Sequence, residues 1–198
     1  MTRNDSWMNA MFFSFAIFFM ILLWVVIGTP KIDGWINEQI ILLWNSSLTN
    51  FFISFGSYLK EILIGLAVIV VSFLFFCDRK KESLILSSGL VLGFVVGSLL
   101  KLVVQRSRPT NSLVAEVGYS FPSNHAVFAM VLFLFLIYFF RNKIRSYFLR
   151  FSLFFISGLL VLITGISRIY LNVHWFTDVV GGFALGVIVV SAIVISLR

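Results

Sequence analysis

Runs of uncharged apolar residues about as long as a lipid bilayer is thick recur along this chain, and no other feature limits its possible folds as tightly. A membrane-crossing helix needs roughly 20 such residues. The first run spans residues 7–27, from Trp7 to Ile27, and stops at Gly28-Thr29-Pro30. It is long for a signal-peptide core and no small-residue cleavage site follows it, so an uncleaved span is expected. Hydrophobic residues make up 60% of the 198 residues, charged residues 12%, and mean hydropathy is +1.05, far outside the soluble class. The length admits about six helices with short connections and no separate soluble domain. The expected fold is therefore all-α and polytopic, with six transmembrane helices in a single domain over residues 1–198.

Further spans are expected at about Tyr58 to Cys77, Ser83 to Val104, Pro122 to just before Arg141, Phe151 to Leu171 and Val173 to Leu197. Residues 31–57 are mixed. Their apolar residues Ile36, Ile40, Trp44, Leu48, Phe52 and Phe55 recur at nearly every fourth position, the pattern of one or two helices lying in the membrane interface. The basic loops at 78–82 and 141–150 must share a side, which the positive-inside rule assigns to the cytoplasm together with both termini. By parity, residues 101–125 and 167–178 then meet at the outer side. Those loops account for much of the net charge of +7, and nothing resembles a nucleic-acid module, so no nucleic-acid partner is expected. The lone Cys77 allows neither an intramolecular disulfide nor a thiolate metal cage.

Three stretches carry polar residues that an apolar bundle does not need. Ser167 to Asp178 holds Arg168, His174 and Asp178 within twelve residues. If Asn172 caps a helix running on from Val173, His174 and Asp178 stand at i and i+4, so the carboxylate orients one ring nitrogen and frees the other. That arrangement suits a nucleophile or base. Lys101 and Arg108 are seven apart, two turns along one face of a helix that Pro109 ends. Cations held within the membrane boundary cost roughly 2.5 to 3.5 kcal/mol each on insertion scales, a cost that a bound anion offsets. Pro122-Ser123-Asn124-His125 opens the fourth span with Pro122 at its first position, aiming free amides and the helix dipole at an anion, with His125 able to donate a proton. Gly89, Gly93 and Gly97 lead into Lys101, and His174 and Asp178 lead into Gly182 and Gly186. These stripes predict close packing of the third span on the sixth, with a homodimer face as the competing reading.

Two other chemistries fit parts of the pattern. His125, His174 and Asp178 could be drawn as a two-His, one-carboxylate metal triad, but Lys101, Arg108 and Arg168 would repel a divalent cation, so no metal or other cofactor is expected. A basic vestibule could also serve an anion carrier or channel, which needs neither paired histidines nor a carboxylate behind one.

Taken together, the three stretches resemble the signature of the type 2 phosphatidic acid phosphatase superfamily of membrane lipid phosphatases: Lys, six residues, Arg-Pro; Pro-Ser-Gly-His; Ser-Arg, five residues, His, three residues, Asp. Residues 101–109 and 167–178 match those spacings, and in 122–125 Asn124 replaces the usual glycine. The resemblance implies that His174 attacks phosphorus to form a phosphohistidine, Asp178 holds its ring and His125 protonates the departing oxygen. Lys101, Arg108, Ser123, Asn124 and Arg168 would bind the phosphoryl oxygens. It also implies an amphiphilic substrate whose chains stay among the membrane lipids. For a site on the outside of a bacterial plasma membrane the expectation is undecaprenyl diphosphate, with phosphatidylglycerol phosphate, phosphatidate and diacylglycerol diphosphate as alternatives.

Overall fold

The computed structural model describes residues 3–197, which form helices with no strand among them. Met1, Thr2 and Arg198, which carry the termini assigned to the cytoplasm, lie outside the described residues. The helices are α1 (Arg3–Ile27), α2 (Lys31–Leu42), α3 (Ser46–Phe76), α4 (Lys80–Val104), α5 (Asn124–Phe140), α6 (Tyr147–Tyr170) and α7 (Phe176–Ser196). Of these α1, α3, α4, α6 and α7 are long and apolar enough to cross a bilayer. The chain is an all-helical membrane protein.

The remaining expected span, the fourth, is α5, and its 17 residues extend only about 25 Å at 1.5 Å per residue, short of the ~30 Å hydrocarbon core. Its environment explains the length. Ala126, Ala129, Val131, Leu132 and Phe135 have no exposed surface, because α3, α4, α6 and α7 all pack against this helix. α5 is the axis of the bundle and meets protein where the others meet lipid.

Both glycine stripes are used to bring neighbours close to that axis, which corrects the expected packing of the third span directly on the sixth. Gly93 faces Val127 and Val131, and Gly97 faces the Asn124 side chain, all on α5. On α7, Gly182 lies against the Ser123 carbonyl and Ala126, and Gly186 against Met130. Direct contact of α4 with α7 is secondary, as where Gly89 looks onto both Phe135 and Ile193. Since protein covers these stripes, they are not available as a homodimer face.

Residues 31–57 divide between a short separate helix and the start of a long one. α2 ends at Leu42, and residues 46–57 are the first turns of the 31-residue α3. Asn45 caps that helix by accepting from the Leu48 amide at 3.0 Å, and nothing between Ser46 and Tyr58 breaks it. Of the apolar stripe read as interfacial, Ile36 and Ile40 lie on α2, Trp44 in the connection, and Leu48, Phe52 and Phe55 on α3, a helix about 46 Å long, longer than the hydrocarbon core. Its start docks on the end of α6: Trp44 Nε1 donates to the Tyr170 carbonyl at 3.1 Å, Thr49 and Tyr170 hydroxyls are 3.1 Å apart, and Phe52 stacks on the Tyr170 ring at 4.4 Å.

At the opposite end the two basic loops meet, with Glu82 Oε1 3.2 Å from Arg79 Nε and 3.5 Å from Lys143 Nζ. The carboxyl ends of α4 and α6 and the amino ends of α5 and α7 therefore gather at the other end of the bundle.

A Cβ at Gly182 would lie 2.7 Å from the Ser123 carbonyl oxygen and 2.8 Å from Ala126 Cβ, whereas one at Gly158 meets nothing within 4 Å. Gly182→Ala is expected to destabilise the protein by about 1–3 kcal/mol, lowering the midpoint of thermal unfolding in detergent. Gly158→Ala should leave that midpoint unchanged or raise it.

Candidate active site

The polar end of the bundle is assembled from two helix ends that turn inward. α4 stops at Val104, and Gln105 adopts a left-handed conformation (φ 51°) with its amide bonded to the Lys101 carbonyl. Lys101 and Arg108 therefore do not share a helix face. Lys101 stands in the last turn of α4 while Arg108 lies on the loop that follows, and the turn points Arg106 into the protein. α6 ends in the same manner. Asn172 is left-handed (φ 55°), and the amides of Val173 and His174 both reach back to the Arg168 carbonyl, at 3.2 and 3.4 Å. His174 is thereby fixed beside Arg168.

α7 begins at Phe176 with Trp175 as its N-cap, so Asn172 does not cap it and His174 precedes the helix. The expected facing of His174 and Asp178 persists through a different device. Asp178 Oδ2 accepts from the Trp175 amide at 2.9 Å, which holds the carboxylate toward the residue just upstream. His174 Nδ1 is 3.5 Å from that oxygen. This exceeds a normal hydrogen-bond length, so the pair is an electrostatic contact one small adjustment from a formed bond. Burial is the largest influence on His174 and lowers its proton affinity, and the Lys101 and Arg108 charges act the same way against the opposing pull of Asp178. The imidazole is thus held neutral, with Nε2 directed at the cavity side, 3.4 Å from Arg108 Nη1.

α5 begins at Asn124 with Ser123 as N-cap, so Pro122 precedes the helix by two positions instead of opening it. The Ser123 amide donates to the Asp178 carbonyl at 3.0 Å, tying the amino ends of α5 and α7 together. The Asn124 side chain turns toward α4, its Nδ2 3.4 Å from Ser98 Oγ, and leaves its own amide among the first-turn donors that the helix does not use.

A cavity of about 870 Å³ joins these groups. Lys101, Arg108, Asn124, His125, Arg168 and His174 line it, whereas Asp178 and Ser123 stand behind the wall. The Ser123 hydroxyl is completely buried and has no hydrogen-bond partner among the described residues. Ser57, Lys60 and Glu61 of α3 and Glu116 of the loop after α4 add polar groups to the wall, and its apolar part comes chiefly from Leu63 and Ile64 of α3, Leu90, Val91 and Phe94 of α4, and Phe128 of α5. Ile64, Val91 and Phe94 are exposed on the bundle's outer surface, so the cavity runs from the cations to the lipid-facing side.

The three cations are held mainly by carbonyl oxygens. Lys101 Nζ donates to Tyr119 and Ser120 at 2.6 and 3.1 Å, Arg108 to Val173 and Gly118 at 2.6 and 2.9 Å, and Arg168 to Gly56 at 3.1 Å. Carbonyls fix a cation's direction without cancelling its charge. The one carboxylate bridging them is Glu116, 3.4 Å from Arg108 and 3.5 Å from Arg168. Behind His174, Arg106 donates at 2.6 Å to both Asp178 and Asp33 of α2. Glu116 and Asp33 were not singled out from the sequence, which places Arg106 near the site without a role; the available signal was that each is a charge at a membrane boundary without a local partner.

His125, His174 and Asp178 do not converge as metal ligands. Asp178 spends its oxygens on Arg106 and the Trp175 amide, and among the described residues no three His, Cys, Asp or Glu side chains are grouped to hold an ion.

The sequence profile described as the PAP2 superfamily matches residues 82–198. Phosphatidylglycerophosphatase B of Bacillus subtilis (strain 168) is 32% identical over 136 residues, 65% of this chain and 64% of that protein. The match thus spans just under two thirds of that curated relative's length. The crystal structure described as the first transmembrane PAP2 type phosphatidylglycerolphosphate phosphatase, also from Bacillus subtilis, superimposes with a TM-score of 0.77 at 27% identity, covering 89% of this chain and 92% of that one. The crystal structure of Aquifex aeolicus LpxE shares the fold, with a TM-score of 0.62 at 23% identity over 80% of this chain and 92% of that one.

Because Glu116 competes for two arginines that face the cavity, Glu116→Gln is expected to tighten binding of inorganic phosphate roughly threefold to tenfold, measured by calorimetric titration of the purified protein. Weaker binding would mean that the carboxylate organises the arginines instead of occupying them.

Proposed function

This chain belongs to the PAP2 superfamily, and from that premise we propose that it hydrolyses a lipid phosphate at the polar end of the bundle through a phosphohistidine. The observation that carries the proposal is a neutral, buried imidazole whose free nitrogen opens on a cavity with three cations and one carboxylate, Glu116, at one end and a lipid-facing apolar wall at the other. Phosphoryl transfer asks a protein chiefly for alignment and charge stabilisation, and both are available here.

In this reading, the headgroup phosphate settles against Lys101, Arg108 and Arg168, displacing Glu116, while acyl or prenyl chains lie along Leu63, Leu90, Phe94 and Phe128. The first-turn amides of α5, the Asn124 amide among them, donate to phosphoryl oxygens, and the Ser123 hydroxyl, unpartnered among the described residues, joins them only by turning from behind the wall toward the cavity. His174 Nε2 attacks phosphorus in line. His125 gives its proton to the departing oxygen as the phosphorus–oxygen bond breaks, and Asp178 balances the positive charge that develops on the His174 ring. Water then attacks the phosphohistidine with His125 as base, releasing phosphate. No step calls for a metal ion, so activity is proposed to be metal-independent, and residues 1–198 act as one membrane-embedded unit.

The names of the Bacillus subtilis relatives favour phosphatidylglycerol phosphate as substrate over the undecaprenyl diphosphate expected from sequence. The site is proposed to face the outside of the plasma membrane, since the basic loops around Glu82 and Lys143 gather at the opposite end.

The test is phosphate release by purified protein from phosphatidylglycerol phosphate, phosphatidate, diacylglycerol diphosphate and undecaprenyl diphosphate, with and without chelator. Hydrolysis fastest on phosphatidylglycerol phosphate and indifferent to chelator is expected, and His174→Ala should lower kcat roughly 1,000-fold or more. Absence of hydrolysis on all four lipids would favour an anion carrier, and loss of activity in chelator restored by one metal would overturn the metal-free chemistry.

A further inference from the structure

Asp33 is only 1% exposed although it belongs to the short helix α2, far in sequence from every motif residue. It joins a closed network. Its Oδ2 accepts from Arg106 Nη2 and from the Thr177 hydroxyl, both at 2.6 Å, and its Oδ1 accepts from the Thr177 amide at 2.9 Å. The other arm of Arg106 donates to Asp178 Oδ1 at 2.6 Å and to Thr177 Oγ1 at 2.8 Å. Buried ion pairs contribute little net stability when weighed against apolar packing, so a fully buried two-carboxylate, one-guanidinium group suggests another use.

We propose that Asp33 and Arg106 are positioning residues that set the net charge Asp178 presents to His174; the inference rests on the lipid-phosphatase reading of this cavity. With Arg106 opposite Asp178 alone, the pair would sum to zero and His174 would face a dipole. Asp33 takes half of the guanidinium fork, so the three groups together carry one negative charge, and Asp178 Oδ2 stays directed at the ring. The groups around His174 on its other sides are cations or a second imidazole: Lys101 from α4, Arg108 from the following loop, His125 from α5 and Arg168 from α6. Glu116 is engaged with the two arginines. The Asp178 network therefore supplies the opposing charge. When Nε2 bonds to phosphorus and the bond to the departing oxygen breaks, that oxygen takes the His125 proton. The His174 ring keeps its Nδ1 proton and becomes cationic. A negative charge fixed 3.5 Å from Nδ1 favours this state over the neutral imidazole, and so acts on kcat and leaves KM alone.

The test compares kcat, KM and the pH profile of kcat/KM for the full chain in detergent, using whichever of the four lipids named above the unmodified protein hydrolyses fastest. Asp33→Asn preserves shape and the acceptor for the Thr177 amide but leaves the network neutral. It is expected to lower kcat about 10- to 100-fold with KM unchanged. The acid limb should move about one pH unit toward acid, because an imidazole facing a neutral group binds its proton more weakly. The double variant Asp33→Asn with Arg106→Gln restores one negative charge and should return the acid limb to its original position. A purely structural tether gives the reverse: the limb does not move in the single variant, or stays displaced in the double. Where the single variant does not elute as a monodisperse species, the limb of the double variant alone decides in the same sense. If the unmodified protein releases no phosphate from any of the four lipids, or His174→Ala matches it, the phosphatase reading fails and this inference with it. An active protein that depends on His174 but is indifferent to Asp33→Asn overturns the inference alone.

Discussion

Positive charge that is fixed but only partly neutralised, at the edge of an apolar bundle, is the condition on which the rest of this structure depends. Lys101, Arg108 and Arg168 could each have been given its own carboxylate, at the expense of the field they create. They donate chiefly to the carbonyls of Tyr119, Ser120, Gly118, Val173 and Gly56, which satisfy the donors and leave the charge, while Arg108 and Arg168 share Glu116. Those carbonyls are available because the chain leaves regular helix there, in the loop after α4 and the turn after α6. The irregular backbone is confined to one end of the bundle, where it lines a cavity instead of facing lipid.

The helices serve that end. α5 is too short to be an ordinary span, and its burial lets its amino end sit at the site beside that of α7, joined by the bond from the Ser123 amide to the Asp178 carbonyl. Gly97 on α4 and Gly182 on α7 permit both neighbours to close on it. Small residues there set how near the two histidines can come, since His125 rides on α5 and His174 immediately precedes α7. α3 completes the arrangement by carrying Gly56 to Arg168 at its start and an apolar cavity wall at its middle.

The polar stretches were legible in the sequence because charged and imidazole side chains at fixed spacings interrupt apolar runs: Lys101 to Arg108, Ser123 to His125, Arg168 to Asp178. Their local geometry was not. The left-handed Gln105 turns the chain before Pro109, the stop expected for the helix carrying Lys101 and Arg108, and the left-handed Asn172 follows α6 instead of capping α7, because non-glycine residues at positive φ have no strong sequence mark. The glycine stripes announced a close approach but not the partner, since a small residue specifies distance and not identity. Residues 46–57 read as interfacial because the exposed start of a long helix has the same periodicity as a helix lying flat. Asp33 and Arg106 lie 73 positions apart, and no local pattern joins two charges so distant.

The most direct measurement concerns the phosphorus–nitrogen bond that the proposed mechanism requires. Full-length protein is mixed briefly with lipid labelled in its terminal phosphate, quenched in base to preserve phosphoramidates, and digested for mass spectrometry. The expected result is a phosphoryl group on His174, formed more slowly when His125 is replaced and the departing oxygen loses its proton donor. Label on any other residue, or turnover with no phosphorylated histidine under conditions that preserve one, would contradict nucleophilic attack by His174.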